Sequence, residues 1–177
     1  MKESGSITLA ELTTERLLLR QLKGHDTTAI AELRSDVSVN RYIDRPKELS
    51  IDAAAAFIIK MDTNVQEGRC FYWAICLPGK PELIGTICLF NFSGDKKSAE
   101  LGYELHPRYQ GKGYADEAVS RIISFAFQIA GFDTLEACVH QEHIKSVNLL
   151  LKNNFTENRD KKEEKYPDYV FFILCAG

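Results

Sequence analysis

No run of apolar residues in this chain approaches the roughly 20 needed to cross a bilayer, so no membrane-spanning helix is expected. The first residues, MKESGSITLAELTTE, lack the apolar core of a secretory leader, which makes the cytoplasm the expected compartment. Cysteine lacks any pattern: Cys70, Cys76, Cys88, Cys138 and Cys175 are odd in number, show no Cys-x-x-Cys spacing and sit in apolar strand-like runs. They read as reduced core thiols, which argues against a disulfide framework, and no metal is expected. Net charge is also small, −3 with a pI near 5.8, which argues against a broad nucleic-acid-binding face. Repeats and low-complexity tracts are missing too. What remains is 177 residues, 45% hydrophobic and 27% charged, long enough for one well-buried domain and short for two. Residues 1–12 read as a polar lead-in with little to bury, and 13–177 as a single domain.

The informative stretch runs from Ala99 to Ala130, AELGYELHPRYQGKGYADEAVSRIISFAFQIA. Ala99 to Leu105 is apolar and aromatic enough for a strand, and Pro107, which cannot donate to a sheet ladder, marks its end. The polar loop Arg108 to Gly113 follows. From Tyr114 onward, Ala115, Ala118, Val119, Ile122, Ile123 and Ala126 recur at the spacing of one helix face, with Gly131 just past the end. A helix therefore begins at the glycines. Its first turn leaves backbone N–H groups without partners and carries the positive end of the macrodipole, so a phosphate placed there finds donors and field. Gly111 and Gly113 let the main chain approach closely, Arg108 and Lys112 add charge, and Gln110 can brace the loop through its backbone. By itself the stretch is either such a cradle or an ordinary tight connection.

Two familiar phosphate loops do not fit. A P-loop requires Gly-Lys-Ser/Thr, whereas Gly113 is followed by Tyr114 and Ala115. A dinucleotide fingerprint requires a small residue where this chain has Asp116. The spacing Gln110-x-x-Gly113-x-Ala115 after an acid-containing strand instead resembles the acetyl-CoA motif of the GNAT superfamily of N-acetyltransferases. The resemblance implies that the backbone amides around Gly111, Gly113, Tyr114 and Ala115 hold the CoA pyrophosphate. It also implies a mixed α/β fold, a mostly antiparallel sheet of six to seven strands flanked by helices.

The rest of the chain agrees with that order. TTERLLLR, with a first strand over Arg16 to Leu22, resembles the opening of the branch that acetylates ribosomal-protein N-termini. Asp26 can cap a helix over Ala29 to Leu33, and Ser50 or Asp52 a longer one through Ala53 to Ile59. Cys70 to Leu77 and Leu83 to Phe92 form a hairpin around Pro78-Gly79-Lys80-Pro81, and a turn at Ser93 to Asp95 leads into the central strand. After the central helix come a strand over Thr134 to His140, a short helix over Ile144 to Lys152, and a hairpin from Phe155 to Arg159 and Tyr169 to Cys175. The tip of that hairpin, DKKEEK, reads as solvated connection. By the resemblance, the segment between the first two helices borders the acceptor, which makes Arg41, Tyr42, Asp44 and Arg45 candidate specificity contacts.

HQEHIKSVNLLLKNNF, His140 to Phe155, resembles the family's second CoA segment in part. Ser146, Leu149, Leu150, Lys152 and Phe155 agree with the ribosomal-protein branch, while His143 stands where Asn is usual and Asn154 where Gly is usual. His143 would then contact the pantetheine arm, or join the chemistry itself. The tyrosine that many members use as general acid falls at Leu150, so Ser146 becomes the substitute. Glu100 lies where relatives place a catalytic base, with Glu104 on the same strand face as a fallback base and acceptor contact. The oxyanion donor is expected to be a backbone N–H around Leu105 or His106.

The expected activity is transfer of an acetyl group from acetyl-CoA, as co-substrate, to a primary amine, foremost a peptide or protein N-terminus. The alternatives are a small-molecule amine such as an amino acid, polyamine or aminoglycoside, and a non-catalytic acyl-CoA-binding regulatory module. The expected partner is thus an amine acceptor, without nucleic acid or membrane, on a monomer or homodimer.

Overall fold

The protein is described here from a computed structural model covering residues 9–177. A two-residue strand β1 (Leu12–Thr13) precedes β2 (Leu18–Gln21), α1 (Thr27–Ser35) and α2 (Ile51–Gln66). The meander β3 (Phe71–Cys76), β4 (Leu83–Phe90) and β5 (Ser98–Leu105) leads to α3 (Tyr114–Phe125). Then follow β6 (Thr134–His140), α4 (Ile144–Lys152), β7 (Thr156–Glu157) and β8 (Tyr169–Cys175). The strands form one eight-stranded sheet in the order β1-β2-β3-β4-β5-β6-β8-β7. Every neighbouring pair is antiparallel except β5 and β6. The two-residue strands β1 and β7 bring the count to eight.

Alternation along each strand sends successive side chains to opposite faces. Tyr72 meets Phe57 of α2 edge-on at 5.7 Å, while its neighbour Trp73 meets Phe125 of α3 edge-on at 5.1 Å. Helices α1 and α2 therefore cover one face and α3 the other. The apolar stripe of α3 buries Ala118, Val119, Ile122 and Phe125. A π-helical turn, Ala126–Ala130, extends α3 before Gly131 ends it at φ 77°. In α4 the buried positions are Ser146 and Leu150, one turn apart on the same stripe.

Four local expectations need correction. Ser50 caps α2 by accepting from the Ala53 N–H at 3.2 Å, but the Asp26 side chain makes no capping bond to α1. It is buried instead against Arg20, whose guanidinium reaches both carboxylate oxygens at 2.8 Å, because a charge this deep requires a counter-charge. The lead-in does bury surface: Leu9 and Leu12 join the core, and the Ala10 carbonyl accepts from the Trp73 indole N–H at 3.0 Å. The five thiols are unpaired, yet Cys70 and Cys76 alone are buried, Cys88 and Cys138 are half-buried and Cys175 is exposed. The fourth concerns the charged hairpin tip: Asp160 and Lys162 to Lys165 are exposed as expected, but Lys161 is half-buried and turns in to Glu136 of β6.

Candidate active site

Strands β5 and β6 pair only over Ser98–Thr134, Ala99–Leu135 and Glu100–Glu136. Beyond that they part, so Leu101 to Leu105 and Ala137 to His140 have no register partner across the gap. On the other side of β5 the ladder to β4 continues, and the His106 N–H donates to the Ile84 carbonyl at 2.8 Å. Bonded and non-bonded pairs alternate in an antiparallel ladder, so the backbone groups of Tyr103 and Leu105 point away from β4 and into the gap. The His106 amide is consequently spent on the sheet. Of the two expected oxyanion donors, Leu105 is the one whose N–H faces the open cleft.

The loop at the end of β5 is held from several sides. Gln110 Nε2 donates to the Leu105 carbonyl at 2.9 Å, closing the turn Pro107–Tyr109 back onto the strand. Gly111 and Gly113 take φ of 74° and 82°, a region that side chains with a Cβ disfavour. Gly113 is the N-cap of α3 and offers no side-chain cap, so the first-turn amides remain for a ligand. Two acids in that turn, Asp116 and Glu117, would repel a phosphate, but each is paired. Arg16 Nε reaches Glu117 at 2.7 Å, and Lys152 Nζ reaches Asp116 at 2.7 Å. Arg16 Nη1 also donates to the Lys112 carbonyl at 2.9 Å, and its guanidinium lies 4.8 Å from the Tyr114 ring centroid. Lys152, a candidate CoA contact, thus neutralises the first turn of α3. The Lys112 ammonium lies 5.5 Å from the Tyr109 ring centroid, and Arg108 is exposed.

Across the gap, Ser146 is buried and its Oγ lies 2.6 Å from Tyr103 Oη. His143 is the N-cap residue of α4, and its ring stands 4.9 Å from that of Tyr42. Burial, with Lys145 and His140 adding like charge, lowers its pKa and favours the neutral imidazole. Tyr42 also lies 5.1 Å from His140, and Tyr169 Oη donates to the Tyr42 carbonyl at 2.8 Å. The α1–α2 segment is thereby fastened to the open end of β6. Arg41 lies over the Tyr42 ring at 5.3 Å, and Asp44 is exposed.

The carboxylates of β5 differ sharply. Glu104 is clamped by Arg45 at 2.8 and 2.6 Å and by Arg34 at 3.2 Å, so it is committed to holding α1 and its following segment against the sheet. Arg45, a candidate specificity contact, is occupied there as well. Glu100 has one neutral partner, Asn91 Nδ2 at 2.9 Å, and burial raises its pKa above 4.5, with Asn91 opposing. It lines a pocket with Glu136, Cys138, Lys161, Glu163 and Tyr166. Lys161 Nζ sits 2.5 Å from Glu136, so the DKKEEK segment supplies part of this wall.

The GNAT acetyltransferase domain model matches residues 16–156. The chain belongs to the GNAT acetyltransferase family. It is 33% identical over 155 residues to the uncharacterized N-acetyltransferase YoaA of Bacillus subtilis, covering 88% of each chain. It is 24% identical to the [ribosomal protein uS5]-alanine N-acetyltransferase of Escherichia coli, over 94% of this chain and 86% of that one. Among solved structures, spermidine N-acetyltransferase from Vibrio cholerae, in complex with CoA and spermine, superposes with a TM-score of 0.78. That match has 22% identity and covers 92% of this chain and 96% of the other.

In this GNAT acetyltransferase, acetyl-CoA is the acyl donor. Glycine conformation, open first-turn amides and neutralised neighbouring acids together leave the start of α3 open to an anion. No group of three or more potential metal-ligating side chains occurs among the described residues. No helix among them is long and apolar enough to cross a membrane. Sequence reasoning missed Arg16, Tyr103, Glu136 and Lys161. The alternation of Glu136, Cys138 and His140 with Leu135, Ala137 and Val139 marks them as one strand face. Arg16 and Lys161 carry no local signal, because their partners lie 101 and 25 residues away.

Proposed function

We propose that this N-acetyltransferase acts on a single primary amine at a peptide or protein N-terminus, with Glu100 as general base. The observation that supports this reading is the charge state of the acceptor-side sheet face. Glu104 is neutralised by two arginines and Glu136 by Lys161, while Glu100 meets only the Asn91 amide. One unneutralised carboxylate on the strand pair suits one ammonium better than a polycation. Burial keeps Glu100 a stronger base than an exposed glutamate, which helps it take the ammonium proton. The relative that modifies an alanine of ribosomal protein uS5 fits the same reading. The amine then attacks the thioester carbonyl, whose oxygen meets the Leu105 N–H, and the sulfur leaves toward Ser146 and the start of α4.

A polyamine acceptor is the second reading, favoured by Glu100, Glu136 and Glu163 lining one pocket. The test is competition between an alanine-initiated peptide and spermidine for limiting acetyl-CoA, with products resolved by mass spectrometry. Preferential acetylation of the peptide α-amine is expected. Preferential acetylation of spermidine would replace this reading with the second.

A further inference from the structure

We propose that Tyr103 is a positioning residue for acyl transfer: its hydroxyl donates to Ser146 Oγ and so leaves the serine's own hydrogen for the departing CoA sulfur. The inference rests on acetyl-CoA occupying the gap between β5 and β6 as proposed above. Tyr103 shares the α3 face with Leu101 and Leu105, and from β5 it spans the gap to the first turn of α4. The Oη–Oγ separation is 2.6 Å, a short bond between two hydroxyls either of which could donate. The Ser146 carbonyl, at 3.5 Å, is a poor second acceptor for the phenol. A phenol is the more acidic hydroxyl and the better donor, so the arrangement with tyrosine donating is favoured. Ser146 Oγ has no other hydrogen-bond partner among the described residues, so its hydrogen stays available in a buried setting. A hydrogen left unused there would be costly, and a sulfur gaining negative charge is the acceptor that such a position serves.

Tyr103 is unsuited to giving up its proton outright. Burial pushes its pKa up to about 12, well above the 8.5 of an ordinary thiol, so proton transfer from tyrosine to thiolate is uphill. Its contribution is orientation. In the balanced step, the ammonium loses one proton to Glu100 and the freed nitrogen pair forms the bond to carbon. The C–S bond breaks with its electron pair kept by sulfur. The second nitrogen proton passes to that sulfur, which the Ser146 hydroxyl has meanwhile stabilised by hydrogen bonding. The products are amide, free thiol and protonated Glu100.

The test is a double-mutant cycle on the full chain with Tyr103→Phe, Ser146→Ala and both together. Tyr103→Phe keeps the ring and removes only the hydroxyl, so packing is retained. It is expected to lower kcat about tenfold, the scale of one hydrogen bond to a charged group, while KM for acetyl-CoA and the calorimetric affinity for CoA stay near wild type. The double variant is expected to be no slower than Ser146→Ala alone, because the tyrosine acts through the serine. Additive losses, or wild-type kcat in Tyr103→Phe, would overturn the proposal. So would a loss confined to CoA affinity, which would make the pair a structural clip. Absence of thiol release by the wild-type protein with any amine would instead overturn the functional reading beneath it.

Discussion

The His106 N–H donates to the Ile84 carbonyl at 2.8 Å, and this bond decides which of the two amides, His106 or Leu105, faces the gap between β5 and β6. Because the ladder alternates, binding His106 to β4 turns Leu105 toward the gap. Replacing Leu105 by its α-hydroxy analogue, which exchanges the N–H for an ester oxygen, should lower kcat by about 100-fold. The same exchange at His106 should cost about 1 kcal/mol of stability and spare kcat. Single-turnover rates and urea unfolding of the two esters check this.

Gly113→Val should abolish CoA binding, measured by titration calorimetry. Valine would have to adopt φ near 82°, and its Cβ would meet Arg16 Nη2 at 3.2 Å. Arg16 is the residue that holds the Lys112 carbonyl, so the strain would fall on the loop itself. Retained affinity would count against the cradle.

Glu104→Ala should destabilise the fold by roughly 3 kcal/mol in urea unfolding, the scale for removing one partner of a buried ion pair. Two guanidiniums would be left without their shared carboxylate, and Arg34 Nε already lacks a hydrogen-bond partner among the described residues. A loss below about 1 kcal/mol would show that this triad is solvent-screened.

Glu100 carries the opposite sign. Burial raises its pKa above 4.5, so folding favours the protonated form relative to the unfolded chain and disfavours the carboxylate that the chemistry uses. The stabilising contribution of that protonated form is complete below about pH 4.5 and is lost as pH rises through the elevated pKa. Glu100→Gln should therefore melt at a higher temperature than wild type at pH 7, with the gap closing in acid. A lower Tm for the variant at pH 7 would contradict this.

Local pattern made β6 and α4 legible to the residue: Thr134 to His140 alternates strongly, and Val147, Leu150 and Leu151 recur at the spacing of one helix face, although only Leu150 of the three is buried and Leu151 is exposed. The glycines of the cradle were readable because positive φ has few other sources. The fates of Glu100 and Glu104 were not readable, since identical residues two pleats apart differ only in what faces them. Arg34 and Arg45 neutralise one, while Asn91 leaves the other its charge. Nor could DKKEEK be read as part of a pocket wall, because a charge run favours solvent unless a buried acid such as Glu136 draws one lysine inward.

The most direct test of the account is the pH dependence of kcat/KM for thiol release from acetyl-CoA with an alanine-initiated peptide, in wild type and Glu100→Gln. The wild-type profile should fall by one proton in acid, as Glu100 is protonated, and again in alkali, as the ammonium that Glu100 deprotonates is lost. The variant should be about 100-fold slower, with its rate rising instead toward the pKa of the amine, which must then arrive already neutral. An unchanged rate and acid midpoint in Glu100→Gln would contradict the role of Glu100 as base.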